Sequence, residues 1–284
     1  MKNVAIITGA SSGLGEEFTK QISLKNDYDE IWIIARRKEN LDALRDKINQ
    51  SKNFKLVRSV PMDISGQKGV ESFKNFLQKE DQALRKIESG IEIKLLINNA
   101  GFGTYGPFAE TSPVREMDLI DLNCTALTGI TGVCLPFMKK DSVIINTASL
   151  AAYLPLGNFA VYAASKAYVL NFSLALAAEL KERGIKVCAL CPGSVSTEFA
   201  NVASNGARKE VKGGFPPQKV VTQCLKRAFK GRCVSLYRTK WKLSAFLSRF
   251  ISGYAGARFT YKFNKRPHNP DKDMQTQDVG DLFL

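Results

Sequence analysis

One histidine stands in 284 residues, and that scarcity removes whole classes of chemistry. His268, in the run RPHNP, leaves no set of imidazoles to hold a metal, so no metal site is expected. It also argues against a Ser-His-Asp triad, since no candidate serine has a suitable partner. Long apolar runs are missing too. No stretch of about 18 apolar residues occurs, so no membrane-spanning helix is predicted. The opening MKNVAIITGA offers only Val4 to Ile7 as an apolar run, too short for a secretion signal and suited to a first β-strand, and a cytoplasmic location is expected. The cysteines Cys124, Cys134, Cys188, Cys191, Cys224 and Cys233 form no dense framework and read as free buried thiols. Cys188 and Cys191 make a C-x-x-C, but VCALC looks like a strand. Residues three apart on a strand point to opposite faces, which excludes a shared metal or a redox pair.

Acidic residues are scarce in one place only. Residues 205–267 carry 16 Lys and Arg against a single acid, Glu210, whereas residues 1–204 carry 24 Lys and Arg against 22 acids. One segment therefore holds nearly all of the net charge of +14. At its centre, 235–263, Leu243, Phe246, Leu247, Phe250 and Tyr254 follow helical spacing. Lys240, Lys242, Arg249, Arg258 and Lys262 surround that stripe, with Trp241 among them. Two readings compete: a helix packed on the rest of the chain, which is preferred, and a helix lying peripherally on an anionic membrane. No nucleic-acid-binding motif accompanies the charge, so no nucleic-acid partner is expected.

What is present is alternation. Strand-like runs at VAIIT (4–8), IWIIA (31–35), KLVRSVPMD (55–63), KLLINNAG (94–101), SVIINTAS (142–149) and KVCALCPG (186–193) are separated by helical stretches. The strands are apolar throughout, as in a parallel sheet covered on both faces. The fold class is α/β, a doubly wound parallel sheet (Rossmann fold), in a single domain with a helical basic C-terminal extension. Residues 1–235 make the nucleotide-binding catalytic part, including a substrate lid at 198–215, and 236–284 make the extension. Long helices are predicted at 113–138 and 159–181.

The first strand runs into Thr8-Gly9-Ala10-Ser11-Ser12-Gly13-Leu14-Gly15. Such a turn lets backbone approach a pyrophosphate and aims the amides of the next helix at it. Gly9, Ser11, Ser12, Gly13, Leu14 and Gly15 are the candidate contacts. The second strand ends in Ala35-Arg36-Arg37-Lys38, where an NAD-preferring site would place an acid. Arg36 is assigned to a 2′-phosphate, which makes NADP(H) the expected cofactor; Arg37 and Lys38 are read as solvated turn residues.

Ser149 closes the fifth strand, and Tyr162 and Lys166 lie four apart on a predicted helix, sharing a face. An ammonium near a tyrosine favours the phenolate, and a serine hydroxyl can hold a substrate oxygen. With TGASSGLG (8–15), Asp63, NNAG (98–101), Asn123, YAASK (162–166) and PGSVST (192–197) in this order, the chain resembles the short-chain dehydrogenase/reductase family over roughly residues 1–200. LIDLNCTALTG, TASLAAY and ALCPGSVSTEF further resemble its DltE-like branch. The resemblance implies a catalytic tetrad of Asn123, Ser149, Tyr162 and Lys166. It also implies cofactor contacts from Asp63, Ile64, Asn99, Ala100, Gly101, Tyr162, Lys166, Pro192, Gly193, Val195 and Thr197, with Asn99 equally readable as a tie between strands.

Phe102, Tyr105, Leu150, Tyr153, Leu156 and Phe199 are the expected pocket wall, apolar and without an acid, which suits a lipophilic carbonyl or secondary alcohol. The alternatives are a reductase of acyl-thioester or steroid-like lipids and a non-catalytic NADP(H)-binding regulator. The two long helices could pair subunits into a homodimer or tetramer.

Overall fold

The computed structural model describes residues 1–25, 27–52, 56–87, 89–209 and 213–270. Residues 210–212 of the expected lid and 271–284 of the expected extension lie outside the described residues. Seven parallel strands form one sheet in the order β3-β2-β1-β4-β5-β6-β7. They are β1 (Lys2–Thr8), β2 (Glu30–Ala35), β3 (Val57–Pro61), β4 (Ile91–Asn98), β5 (Val143–Thr147), β6 (Lys186–Leu190) and β7 (Val234–Ser235). The helices are α1 (Gly13–Ser23), α2 (Lys38–Lys52), α3 (Gly66–Arg85), α4 (Pro113–Ile120), α5 (Leu127–Cys134), α6 (Ala160–Glu179), α7 (Phe199–Ala203), α8 (Pro217–Phe229), α9 (Thr239–Leu247) and α10 (Gly253–Phe263).

The doubly wound expectation holds, and β1 shows why its strands do not alternate. Ala5 and Ile7 enter a core with Phe18 and Ile22 of α1, Leu41 of α2 and Val221 and Leu225 of α8. Val4 and Ile6 enter the opposite core with Phe73 and Leu77 of α3 and Ile130 of α5. Both faces are fully buried, so every position rewards an apolar side chain. Cys188 and Cys191 fall in different clusters, as their strand spacing requires.

Two features lacked a clear sequence signal, and one expectation needs correction. First, β7 lacked a sequence signal: it is two residues long, tied by the N–H of Ala189 to Cys233 O and the N–H of Cys191 to Ser235 O. Second, two helical stretches, Pro113–Phe137 and Ala160–Glu179, are long and apolar enough by composition to cross a membrane. No unbroken apolar run betrays them, because threonines and asparagines punctuate them; both pack on the sheet.

Third, the C-terminal stripe is neither one helix nor packed. α9 ends at Leu247, a short 3₁₀ turn follows, and α10 starts anew at Gly253. Leu243, Phe246, Leu247, Phe250 and Tyr254 are exposed, Phe250 at 74% and Tyr254 at 78%. Small residues face inward instead: a Cβ on Gly256 would stand 2.7 Å from Leu154 Cδ2, so the close approach of α10 to that loop selects glycine. Thr260 Oγ1 accepts from the N–H of Gly157 at 2.9 Å, and the Asn158 amide donates to Tyr261 O at 3.0 Å. The extension thus braces the loop that leads into α6. Trp241, read among the cations around the stripe, is buried in the core that holds α1 and α8.

Candidate functional site

The carboxyl ends of β1, β4, β5 and β6 converge on one crevice, and each motif lies at one of them. Gly9 has φ +66°, and a Cβ there would sit 2.7 Å from Ala100 Cα. A Cβ on Gly15 would sit 2.2 Å from Gly9 O, so the turn closes only with glycine at both positions. The first-turn amides of α1, Gly13, Leu14 and Gly15, then face the crevice without intrahelical partners. Thr197 lies against Gly13, its Cβ 3.2 Å from where a side chain would begin, which brings the 192–197 loop to the same turn.

The basic turn after β2 departs from expectation. Arg37, read as solvated, is exposed but partnered: it donates to Ser11 Oγ at 3.1 Å and Ser12 Oγ at 2.7 Å, and pairs with Glu198 Oε2 at 3.0 Å. The alternation of a strand end could not show that two neighbouring arginines would split so. Arg36 stays largely exposed, its Nη1 4.0 Å from Asp63 Oδ2. Asp63 in turn accepts from the N–H of Ser65 at 2.9 Å, and Ile64 is buried beside it. Asn99 acts as a tie: its amide donates to Thr8 O and Gly9 O, both at 3.2 Å, and its oxygen accepts from Thr147 Oγ1 at 3.3 Å. Ala100 adds its N–H to Thr8 Oγ1 at 3.1 Å. Below them Asn98 donates to Thr131 Oγ1 and Asn146 Oδ1, each at 2.9 Å, a buried ladder that the sequence did not flag.

Asn123, Ser149, Tyr162 and Lys166 are brought together, all buried. Asn123 lies in a π-helical turn, Asp121–Ala126, between α4 and α5. Such turns break the helical ladder where a side chain is needed elsewhere. Its amide donates to Phe102 O at 3.0 Å and Ser165 Oγ at 3.1 Å, while its oxygen accepts from the N–H of Phe102 at 3.1 Å. A Cβ on Gly101 would stand 2.6 Å from Asn123 Oδ1 and 3.4 Å from Lys166 Nζ, so only glycine leaves that passage open. Lys166 donates to Thr147 O at 2.8 Å. The Ser149 hydroxyl donates to Pro192 O at 3.5 Å and accepts from the N–H of Ala151 at 3.1 Å.

Burial dominates the electrostatics of the site. Burial holds the Tyr162 phenol well above its ordinary value; the Ser149 hydroxyl only partly offsets it, with Tyr105 adding to the rise and Arg266 opposing it. Burial also pushes the Lys166 ammonium down to about 8 against the pull of Cys124 and Cys191. Desolvation is the largest influence on both groups.

Around Tyr162, Phe102, Tyr105, Leu156 and Phe199 gather as expected. Leu150 and Tyr153, also partly buried, pack against other clusters. Phe159, which the sequence did not mark, is central: its ring stacks on Tyr162 with centroids 4.1 Å apart, and Phe199 of α7 lies 5.3 Å from Tyr162. On the other side of the crevice a Cβ on Gly193 would stand 2.5 Å from the Trp241 ring, and Val195 bridges to Phe215.

The family model described as short chain dehydrogenase matches residues 3–207. A very-long-chain 3-oxoacyl-CoA reductase of Phaeosphaeria nodorum is 28% identical over 271 residues, covering 93% of this chain and 76% of that protein. A serine 3-dehydrogenase of Agrobacterium fabrum is 30% identical over 210 residues, covering 72% of this chain and 77% of that one. Among solved structures, a short-chain dehydrogenase from Sphingobium yanoikuyae in complex with NADPH superposes with a TM-score of 0.73 at 25% identity, covering 88% of this chain and 94% of that one.

Proposed function

The chain belongs to the short-chain dehydrogenase family, and on that premise we propose that it is an NADP(H)-dependent reductase of lipophilic carbonyl compounds with Tyr162 as the proton donor. The observation that carries this is the buried convergence of Ser149, Tyr162, Lys166 and Asn123 at the carboxyl edge of the sheet. A nicotinamide supplies or accepts the hydride when bound. Ser149 would hold the substrate oxygen, and the Tyr162 phenol would pass a proton to it in carbonyl reduction and take one from it in the reverse reaction. Asn123 anchors the Phe102 backbone and so the mouth of the site. The tetrad gives no advantage to a non-catalytic regulator. Oxidation of NADPH in the presence of a panel of ketones tests the reading, and a panel without turnover would refute it.

The glycine turn fits a dinucleotide: Gly9, Gly13 and Gly15 keep side chains out, and Ser11, Ser12 and Leu14 border the α1 amides. We assign the adenine region to Asp63 and Ile64, the strand-end contacts to Asn99, Ala100 and Gly101, and the nicotinamide end to Lys166, Tyr162, Pro192, Gly193, Val195 and Thr197. Arg36, largely exposed at the end of β2 and 4.0 Å from Asp63, is proposed to take the 2′-phosphate. NADPH should be preferred over NADH by about tenfold or more, equivalent to about 1.4 kcal/mol. Arg36→Ala should erase most of that preference in steady-state KM values and spare NADH kinetics. If Arg37→Ala erases it and Arg36→Ala does not, the phosphate belongs to the Arg37 cluster with Ser11 and Ser12.

The resemblance to a 3-oxoacyl-CoA reductase supports an acyl-thioester as a second substrate class. The DltE-like assignment stays a reading of LIDLNCTALTG and its companion runs and names no substrate. Exposed Met117, Ile120, Tyr168 and Leu174 on α4 and α6 support a homodimer or tetramer.

The exposed C-terminal face supports peripheral contact with an anionic membrane. Phe246, Phe250, Tyr254, Phe259 and Phe263 are exposed, and Lys240, Lys242, Arg249, Arg258 and Lys262 are solvated beside them. Each cation near such a surface contributes about 1 kcal/mol. The chain should sediment with anionic vesicles at low salt, release at high salt, and ignore neutral vesicles. Paired Phe250→Ser and Phe259→Ser substitutions should lower that binding several-fold. Absence of sedimentation at low salt would sink the idea.

A further inference from the structure

After α10 the chain runs back across the site. His268 Nε2 meets Glu110 Oε2 at 3.0 Å, its ring presses against Gly106, and the Asn269 amide donates to Asn205 O at 3.0 Å. Between this latch and α10, Arg266 turns inward. Its guanidinium carbon lies 4.5 Å from the Phe159 ring centroid and 5.3 Å from that of Tyr105. Phe159 is the ring stacked on Tyr162. The guanidinium and the Tyr162 ring are therefore separated by no more than one aromatic ring's stacking on each side.

That guanidinium is short of partners. Nη1 is buried and has no hydrogen-bond acceptor, and no carboxylate among the described residues pairs with it. Two other arginines show the usual pairing: Arg58 forks onto both oxygens of Glu80 at 2.6 and 2.9 Å, and Arg37 has Glu198. Burial lowers the Arg266 pKa from its ordinary value, Tyr105 and Tyr162 oppose that, and Arg208 adds to it, so a second cation bears on the same pocket. Stacking on two aromatic faces compensates a buried cation only in part. A leucine or methionine would staple Phe159 and Tyr105 without burying a charge. An arginine there makes chemical sense where an anion comes to meet it.

We propose that Arg266 is the anion-recognising residue of the substrate site, taking an oxyanion, a carboxylate foremost, carried a short distance from the substrate's carbonyl. The proposal rests on the reductase reading and narrows it to oxo acids with an apolar body. The body lies among Phe102, Tyr105 and Phe199, the planar fork of Arg266 receives the carboxylate in two parallel hydrogen bonds, and the carbonyl reaches Tyr162 and Ser149.

Calorimetric titration tests it without turnover. The full chain, saturated with NADP⁺ so that the basic turn at Arg36 and Arg37 is occupied, is titrated with 2-naphthoate, naphthalene-2-sulfonate and 2-naphthamide. The acid should bind about tenfold to a hundredfold tighter than the amide, the range of a charge-assisted pair. In Arg266→Met, which keeps the apolar stem, that ratio should fall to near one, and Arg266→Lys should restore part of it. Because the readout is a ratio, loosening of the strap that weakens both ligands alike leaves it unchanged. A ratio near one in the wild type, or one that survives Arg266→Met, overturns the proposal. Sulfonate bound tighter than naphthoate assigns the subsite to a tetrahedral oxyanion. Discrimination between acid and amide with no carbonyl reduced keeps the subsite and refutes the reductase; the reverse pattern does the opposite.

Discussion

Tyr162→Phe should lower turnover by about a hundredfold or more, the low end for loss of a positioned general acid. The change removes one oxygen from a ring that is buried and stacked on Phe159, and the stacking survives in phenylalanine. NADPH affinity should move little, because phenylalanine keeps the ring and loses only the hydroxyl assigned to the substrate oxygen. Lys166→Ala should differ in kind: its ammonium bonds Thr147 O and lies 5.6 Å from the Tyr162 ring centroid, so both turnover and cofactor affinity should fall. Steady-state kinetics with fluorescence titration of NADPH separates the two patterns. A Tyr162→Phe enzyme near wild-type turnover would remove the assignment. The pH profile gives a second check. Lys166 is charged below about 8 and neutral above it, so any step that needs its charge should weaken as pH rises through that value.

The parts of the molecule legible in the sequence share one property: the backbone geometry demands a residue type. Gly9 needs its positive φ, Gly15 has no room for a Cβ, and Tyr162 and Lys166 must share a helical face. Such demands are local, so a run of ten letters carries them. What stayed hidden depends on partners far along the chain. Arg37 looked solvated because its partners, Ser11, Ser12 and Glu198, are distant in sequence. Phe159 looked like one more apolar residue before a helix, and only the return of 264–270 gives it Arg266. The π-turn at Asn123 leaves the apolar spacing nearly unchanged, so no pattern marks it. Periodicity misled most in the C-terminal extension. A stripe of large apolar residues at helical spacing normally faces a core, yet here Trp241, Ala245, Gly256 and Thr260 face it. In α10 the tight approach to Leu154 and Gly157 favours small side chains, and Phe259 and Phe263 are left outside.

Trp241→Ala is expected to destabilise the fold by about 3–5 kcal/mol, the usual cost of deleting a large buried aromatic side chain. Its indole is 5% exposed and meets Phe215 edge-on at 5.3 Å and Tyr237 at 6.2 Å. It also fills the space against Gly193, in the loop that runs on through Val195 to Thr197 at the glycine turn. Alanine would leave a cavity between α9 and that loop, and Phe215, which accepts from the N–H of Ser196 and donates to Ser194 O, both at 3.0 Å, would lose its edge-on partner. The KM for NADPH should therefore rise along with the loss of stability. Urea unfolding measures the first effect, and kinetics well below the unfolding midpoint measure the second. Phe250→Ala, only a few residues away but 74% exposed, should change stability by no more than about 0.5 kcal/mol. The two variants should trade places in the vesicle assay: Phe250→Ala should bind anionic vesicles less, and folded Trp241→Ala should bind them as the wild type does. A Trp241→Ala protein of wild-type stability with impaired vesicle binding would put the indole on the outer face and overturn the packing described for α9.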